Sequence, residues 1–111
     1  MMPTLVSVAI AVEAVESGGR WWVENAGCVG VMQINPRWSI RSRAALFDPT
    51  VNREEGRRIL GYWLKRSRGN LAKALAAYNC GNAGLLGECG RGYSRRVIRL
   101  AKILDRENPQ P

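Results

Sequence analysis

An apolar stripe at helical spacing runs through Leu5, Val8, Ala9 and Val12, lands on Glu16, and breaks at Gly18-Gly19. The chain is then punctuated by Gly27 and Gly30 and stays irregular in pattern to about residue 38. Helical spacing resumes afterwards and holds to the C-terminal region. This single interruption limits the fold to a first helix, a loop-rich segment, and a set of helices buried on their apolar faces. Residues 4–17 also carry a second pattern, because Val6, Val8, Ile10 and Val12 are β-branched at period two and suit a strand. Ala9, Ala11 and Ala14, the length of the segment, and Pro3 at a first-turn position favour the helix.

The later helices carry their own start and stop signals. Asp48-Pro49-Thr50 followed by Glu54 and Glu55 supplies an N-cap, a first-turn proline and acids against the helix dipole. That helix is expected to reach about Ser67, with Gly56, Ile59, Leu60, Trp63 and Leu64 on one face and Arg57, Arg58, Lys65 and Arg66 mostly elsewhere. Asn70 caps the next, an alanine-rich stretch from Leu71 to Tyr78 that Gly81 ends. Val97, Leu100, Ala101 and Leu104 mark a last helix over 93–105, stopped by the tail from Asn108 to Pro111. Within the loop-rich segment, a short helix or extended piece is expected near Gly30 to Ile34. The sequence predicts an all-α (mainly α) fold in one domain, residues 1–111.

A chain of 111 residues holds one modest core. It carries 17 Lys plus Arg against 9 Asp plus Glu, a net charge of +8. That balance favours an anionic partner, whether nucleic acid, a membrane surface or an acidic cell-wall polymer. No histidine is present, which excludes His-based triads and His metal sites. No apolar run approaches a membrane span. Pro3 to Val12 is apolar but lacks a basic leader region and runs into Glu13 and Glu16, so it reads as mature protein rather than an export signal. Cys28, Cys80 and Cys89 match no zinc spacing, and no metal or other cofactor is expected. Cys80 and Cys89 lie in a Gly-rich segment where a disulfide would close a short loop. Two reduced thiols fit the sequence equally well.

Glu16 is the candidate for chemistry. A carboxyl that continues a buried stripe up to a glycine break sits at the edge of an apolar environment. Desolvation there favours the protonated form, which is what a general acid requires.

Four segments recur in a fixed order: Glu16-Ser17-Gly18-Gly19, Gly30-Val31-Met32-Gln33-Ile34-Asn35-Pro36, Leu46-Phe47-Asp48-Pro49 with Asn52, and Ala74-Leu75-Ala76-Ala77-Tyr78-Asn79. Together they resemble the lytic transglycosylase (soluble-transglycosylase-like) domain of the lysozyme superfamily, over nearly the whole chain. The resemblance implies a lysozyme-like fold in which helices surround a substrate groove. It implies peptidoglycan glycan strands as the substrate, and Glu16 as a lone acid and base. That residue would protonate the oxygen between N-acetylmuramic acid and N-acetylglucosamine, then take a proton from the muramoyl 6-hydroxyl to leave a 1,6-anhydro end. Met32 and Gln33 match the segment that lines the sugar groove, with Val31 in place of Leu. Tyr78 is implied beside the catalytic carboxyl, and Asn79 completes that segment as a substrate-binding residue. Cys28 stands where the family has Ala, which leaves the geometry of residues 20–28 open. The short chain, the apparent lack of an export signal and the Tyr-Asn-Cys-Gly … Cys-Gly variant resemble a bacteriophage cell-wall lysin. Such a lysin would be made in the host cytoplasm, reach the wall through another factor, and act as a monomer without inserting into the membrane.

Several bland readings stand beside these. Ser17 either orients Glu16 or its substrate, or merely ends the first helix. Gln33 alone would read as a loop cap, and Tyr78 as core. Hydrolysis by a muramidase would need a second carboxylate. Glu13, read as a solvated surface acid, and Glu24, in a loop, are the candidates. Trp21, Trp22 and Trp38 flank the presumed groove and could stack on sugars, though packing is the expected fate of at least two. A basic nucleic-acid-binding protein is the rival class, using Arg57, Arg58, Lys65, Arg66 and Arg68 with the stretch from Arg91 to Arg106. No base-reading helix accompanies those charges, so no nucleic-acid partner is expected. A wall-binding module without catalysis is the third reading.

Overall fold

The structure is a computed structural model that describes residues 1–108; of the tail Asn108 to Pro111 expected to stop the last helix, residues 109–111 lie outside the described residues. Five helices form: α1 (Leu5–Ser17), α2 (Pro49–Arg66), α3 (Leu71–Cys80), α4 (Asn82–Leu86) and α5 (Arg91–Glu107). Between α1 and α2 lie two short strands, β1 (Glu24–Asn25) and β2 (Cys28–Val29), and 3-10 turns at Pro36–Trp38 and Ala45–Phe47. The chain packs as two compact units, one of residues 1–11 with 59 onward, the other of Val12–Arg58.

The first unit is built on small side chains. Leu71, Ala74, Leu75, Ala76 and Ala77 of α3 are buried, as are Tyr93, Ser94, Val97 and Ala101 of α5. Alanines let backbones approach closely. A Cβ on Gly84 of α4 would run into the backbone of Ala76, and one on Gly90 would stand 2.8 Å from the Ala76 oxygen. Burial of Leu75 and Val97 contributes roughly 1.5–3 kcal/mol each. Asn70 caps α3 as expected, its Oδ1 accepting from Lys73 N at 3.1 Å. Cys80 and Cys89 form a disulfide with Cα atoms 6.1 Å apart, the bridged of the two readings. It encloses α4, a five-residue helix where the glycine-rich sequence reads as loop.

The start of α1 belongs to this unit. Val8, Ala9 and Ala11 are buried there, but Leu5 is 60% exposed and does not extend the stripe as the spacing predicts. Its place against α5 is taken by Ser7, whose Oγ donates to Asp105 at 2.6 Å. Thr4 donates to the same carboxylate through N and Oγ1, each at 2.8 Å. These bonds to Ser7 and then Thr4 hold the Asp105 carboxyl below its ordinary range.

The second unit carries the end of α1, the strands and the first half of α2. β1 and β2 pair antiparallel, Glu24 with Val29 and Asn25 with Cys28. Ala26 (φ 52°) and Gly27 (φ 84°) make the two-residue turn, both left-handed as a tight hairpin requires. A second closure follows: Val29 N donates to Ile34 O at 2.9 Å and Ile34 N to Val29 O at 3.0 Å, leaving residues 30–33 as a tight loop. Neither the short helix nor the extended piece expected near Gly30 to Ile34 forms: residues 30–33 turn, and only Ile34 pairs, with Val29. Asp48 caps α2 as predicted, its Oδ1 accepting from Thr50 N at 2.8 Å.

Candidate active site

The loop of residues 30–33 is shaped by a side chain on α2. Asn52 is 0% exposed. Its Oδ1 accepts from Met32 N at 2.8 Å, and its Nδ2 donates to Val29 O at 2.7 Å and Leu46 O at 2.8 Å. One amide thus satisfies three buried backbone groups, each of which would be costly to leave unpaired. Gly30 makes the approach possible. Its φ is +80°, and a Cβ there would overlap the Asn52 amide and lie 2.7 Å from Leu46 O.

Ser17 ties α1 to the same loop. Its hydroxyl is buried, donates to Val31 O at 2.7 Å and accepts from Gly19 N at 3.0 Å. Its Oγ thus joins the end of α1, which carries Glu16, to the loop. Gln33 has a left-handed φ of 53°, and its Nε2 donates to Val23 O and Gly30 O, each at 3.0 Å. Both of its amide hydrogens are spent on the loop, so a sugar hydrogen bond falls to Oε1. The Met32 side chain is 1% exposed, and a Cβ on Gly56 of α2 would come within 2.7 Å of its methyl. Met32 therefore supports the loop from beneath, and its thioether does not line a surface as the resemblance implies.

Glu16 is half-buried in the last turn of α1. Cys28, at the start of β2, lies close enough to feel it. Burial pushes the Cys28 thiol up, and the negative charge of Glu16 pushes it further. The residue that replaces the family's Ala is thus a neighbour of the candidate acid.

The candidate second carboxylates are both engaged. Glu13 is not a solvated acid: its side chain is only 18% exposed and accepts from Arg53 Nε at 3.0 Å and Nη2 at 2.8 Å. This bidentate pair raises the Arg53 pKa further. Glu24 pairs with Arg43.

A buried acid, Glu55, steadies the chain past the loop. It accepts from Arg58 Nε at 2.5 Å, from Ile40 N at 3.0 Å and from Ser39 Oγ. Arg58 above all holds its carboxyl down at about 2 against an ordinary 4.5, with Ser39 and Ile40 adding to the effect over the cost of burial. Trp38 and Ile40 on that segment are 75% and 76% exposed. Trp21 and Trp22 are exposed too, their rings edge-to-face with centroids 5.8 Å apart. Packing is the expected fate of at least two of these indoles; two do pack, but on each other, and all three stay exposed. Trp21 and Trp22 pack on each other, and Trp38 is carried outward by the turn that Glu55 anchors.

Tyr78 and Asn79 belong to the other unit, at the end of α3, where Tyr78 is half-buried and Asn79 exposed. Sequence reasoning missed the structural weight of Asn52 and Glu55. Both fall on the helical extension of the face marked by Gly56, Ile59 and Leu60, so a polar residue on an apolar face was the available signal. No group of three or more His, Cys, Asp or Glu among the described residues is placed to hold a metal ion.

Residues 4–98 match the transglycosylase SLT domain, and the chain belongs to that family. At family level it is a lytic-transglycosylase-type, glycan-cleaving domain that acts on peptidoglycan, with the mainly helical, lysozyme-like fold expected of it. No curated protein and no solved structure matches it significantly.

Proposed function

We propose that this protein is a peptidoglycan lytic transglycosylase that cleaves the β-1,4 bond between N-acetylmuramic acid and N-acetylglucosamine, with Glu16 as its only acid and base. Glu16 donates its proton to the glycosidic oxygen as the bond to C1 breaks. The resulting carboxylate takes the proton of the muramoyl 6-hydroxyl as O6 closes on C1. The proton is returned to Glu16 and no water is consumed. The observation that carries this reading is the state of its rivals: Glu13 and Glu24 each spend carboxylate oxygens on an arginine rather than on a water to be activated. The exposed indoles of Trp21, Trp22 and Trp38 in the same unit offer apolar faces for sugar rings.

Mass spectrometry of the fragments released from purified sacculi tests the reaction. Anhydro-muropeptides are expected; reducing-end muramic acid would instead make the enzyme a hydrolysing muramidase. Glu16→Gln is expected to lower turnover by roughly a thousandfold or more while the circular dichroism spectrum stays unchanged. Undiminished wall lysis by that variant would remove Glu16 from the mechanism.

The same reading makes the protein a bacteriophage wall lysin acting as a monomer in an oxidising compartment outside the cytoplasm. The Cys80–Cys89 bridge supports this, since such bonds persist where thiols are not kept reduced. Expression in a bacterial cytoplasm should be tolerated until the membrane is permeabilised, and should then clear the culture.

A further inference from the structure

Six exposed cations lie on α5, and all but Arg96 fall in one row. Arg91, Arg95, Arg99, Lys102 and Arg106 follow one another at steps of four, four, three and four residues, all exposed. At 1.5 Å rise per residue the row is about 22 Å long. The opposite side of α5 buries Tyr93, Val97 and Ala101, so the row is presented on a fixed support. Arg91 pairs with Glu88 at 2.8 Å, Asp105 is occupied by Thr4 and Ser7, and Glu107 stands exposed beside Arg106 at the helix end.

That occupied carboxylate is where α1 meets α5, and the surface changes character across it. Lys102 lies one turn before Asp105 and Arg106 directly after it. On the α1 side, Val6 directly precedes Ser7 and Ile10 lies one turn beyond it. Val6 is 63% exposed and Ile10 48%, with Leu5 at 60% in the same turns. Within this one unit, a cationic row on α5 and two uncovered aliphatic side chains on α1, Val6 and Ile10, flank the same anchoring contact.

We propose that this surface docks the protein onto an anionic lipid bilayer, the α5 row meeting headgroup phosphates and Val6 and Ile10 entering the interface. A basic row alone would suit any polyanion, including a wall polymer or nucleic acid. Neither of those is bound better by exposed aliphatic side chains, whereas a bilayer interface accepts both kinds of group. No helix among the described residues is long and apolar enough to cross a membrane, so the attachment is peripheral. This docking stands apart from the glycan chemistry at Glu16 and does not depend on it.

Flotation of the full chain with phosphatidylglycerol-containing vesicles and with pure phosphatidylcholine vesicles tests it, at low salt and at high salt. Binding is expected to the anionic vesicles alone and to weaken with salt. Arg99→Gln with Lys102→Gln should weaken it by roughly fivefold per charge removed. Val6→Ser with Ile10→Ser should weaken it about tenfold, and both positions are exposed, so the fold tolerates the change. Failure to bind anionic vesicles overturns the proposal. So does binding that is indifferent to the Val6 and Ile10 changes, which would make the row a site for soluble polyanions. Wall-cleaving activity on detergent-extracted sacculi should be unchanged in both double variants.

Discussion

The two units of this protein are held together by different physics. Around α3, α4 and α5, cohesion comes from close backbone approach over Ala74, Ala76, Ala77, Gly84 and Gly90, where the contacts are many and individually weak. In the unit of Val12–Arg58, the loop at 30–33 is held by a few directional bonds from buried polar side chains, above all Asn52 and Ser17. Dispersion packing tolerates small adjustments spread over many atoms. A clasp of three hydrogen bonds on one amide does not, and it fixes its partners to a fraction of an ångström. The candidate acid stands in the region built the second way, where position matters most.

Removing the clasp tests that contrast most severely. Asn52→Ala removes the partner of Met32 N and of Leu46 O and one of the two donors to Val29 O, and should cost about 3 kcal/mol in urea denaturation. Its wall-cleaving rate should fall more than tenfold even where it remains folded. A variant that is destabilised yet fully active would show that the loop geometry does not serve Glu16. Gly84→Ala probes the other unit. It must push α4 off the Ala76 backbone, for about 2 kcal/mol, while activity well below its melting temperature stays within about twofold of the parent. If the rate collapses as well, the two regions do not divide the labour as described.

The smallest effect concerns Glu55. Its folded-state carboxyl sits at about 2 against an ordinary 4.5. A depressed carboxylate stabilises the fold fully above its unfolded value, and that contribution is lost as pH falls from about 4.5 through 2. The partner Arg58 is 44% exposed, so solvent screening limits the effect to about 1.5 kcal/mol. Glu55→Gln should flatten the acid limb of a stability–pH curve by this amount, with little change at neutral pH beyond a constant loss. An unchanged acid limb would mean that other carboxylates carry it.

The two constructions also explain what was legible in the sequence. Helix α5 and the capped starts of α2 and α3 follow from side-chain periodicity and from Asp48 and Asn70, because packing faces and caps are local signals. The family pattern located Glu16, Ser17, Met32 and Gln33, but not how they are used. Whether Ser17 turns inward depends on a carbonyl fourteen residues away in the chain, and nothing near Ser17 encodes that. Met32 belongs under the loop because Gly56 leaves room for it on another element. The exposure of Leu5 and of all three indoles escaped prediction because burial depends on what arrives opposite. Helix α4 escaped because five residues inside a disulfide-closed loop need no helical pattern to be held helical.

Asn52 also sets an order of events. Its amide gathers backbone from residues six, twenty and twenty-three positions earlier in the chain, so none of those bonds can form until the first turns of α2 exist to present it. Helical signal in refolding should therefore rise before the loop closes, and recovery of wall cleavage should trail it. The chain assembles its scaffold early and becomes an enzyme only at the last step.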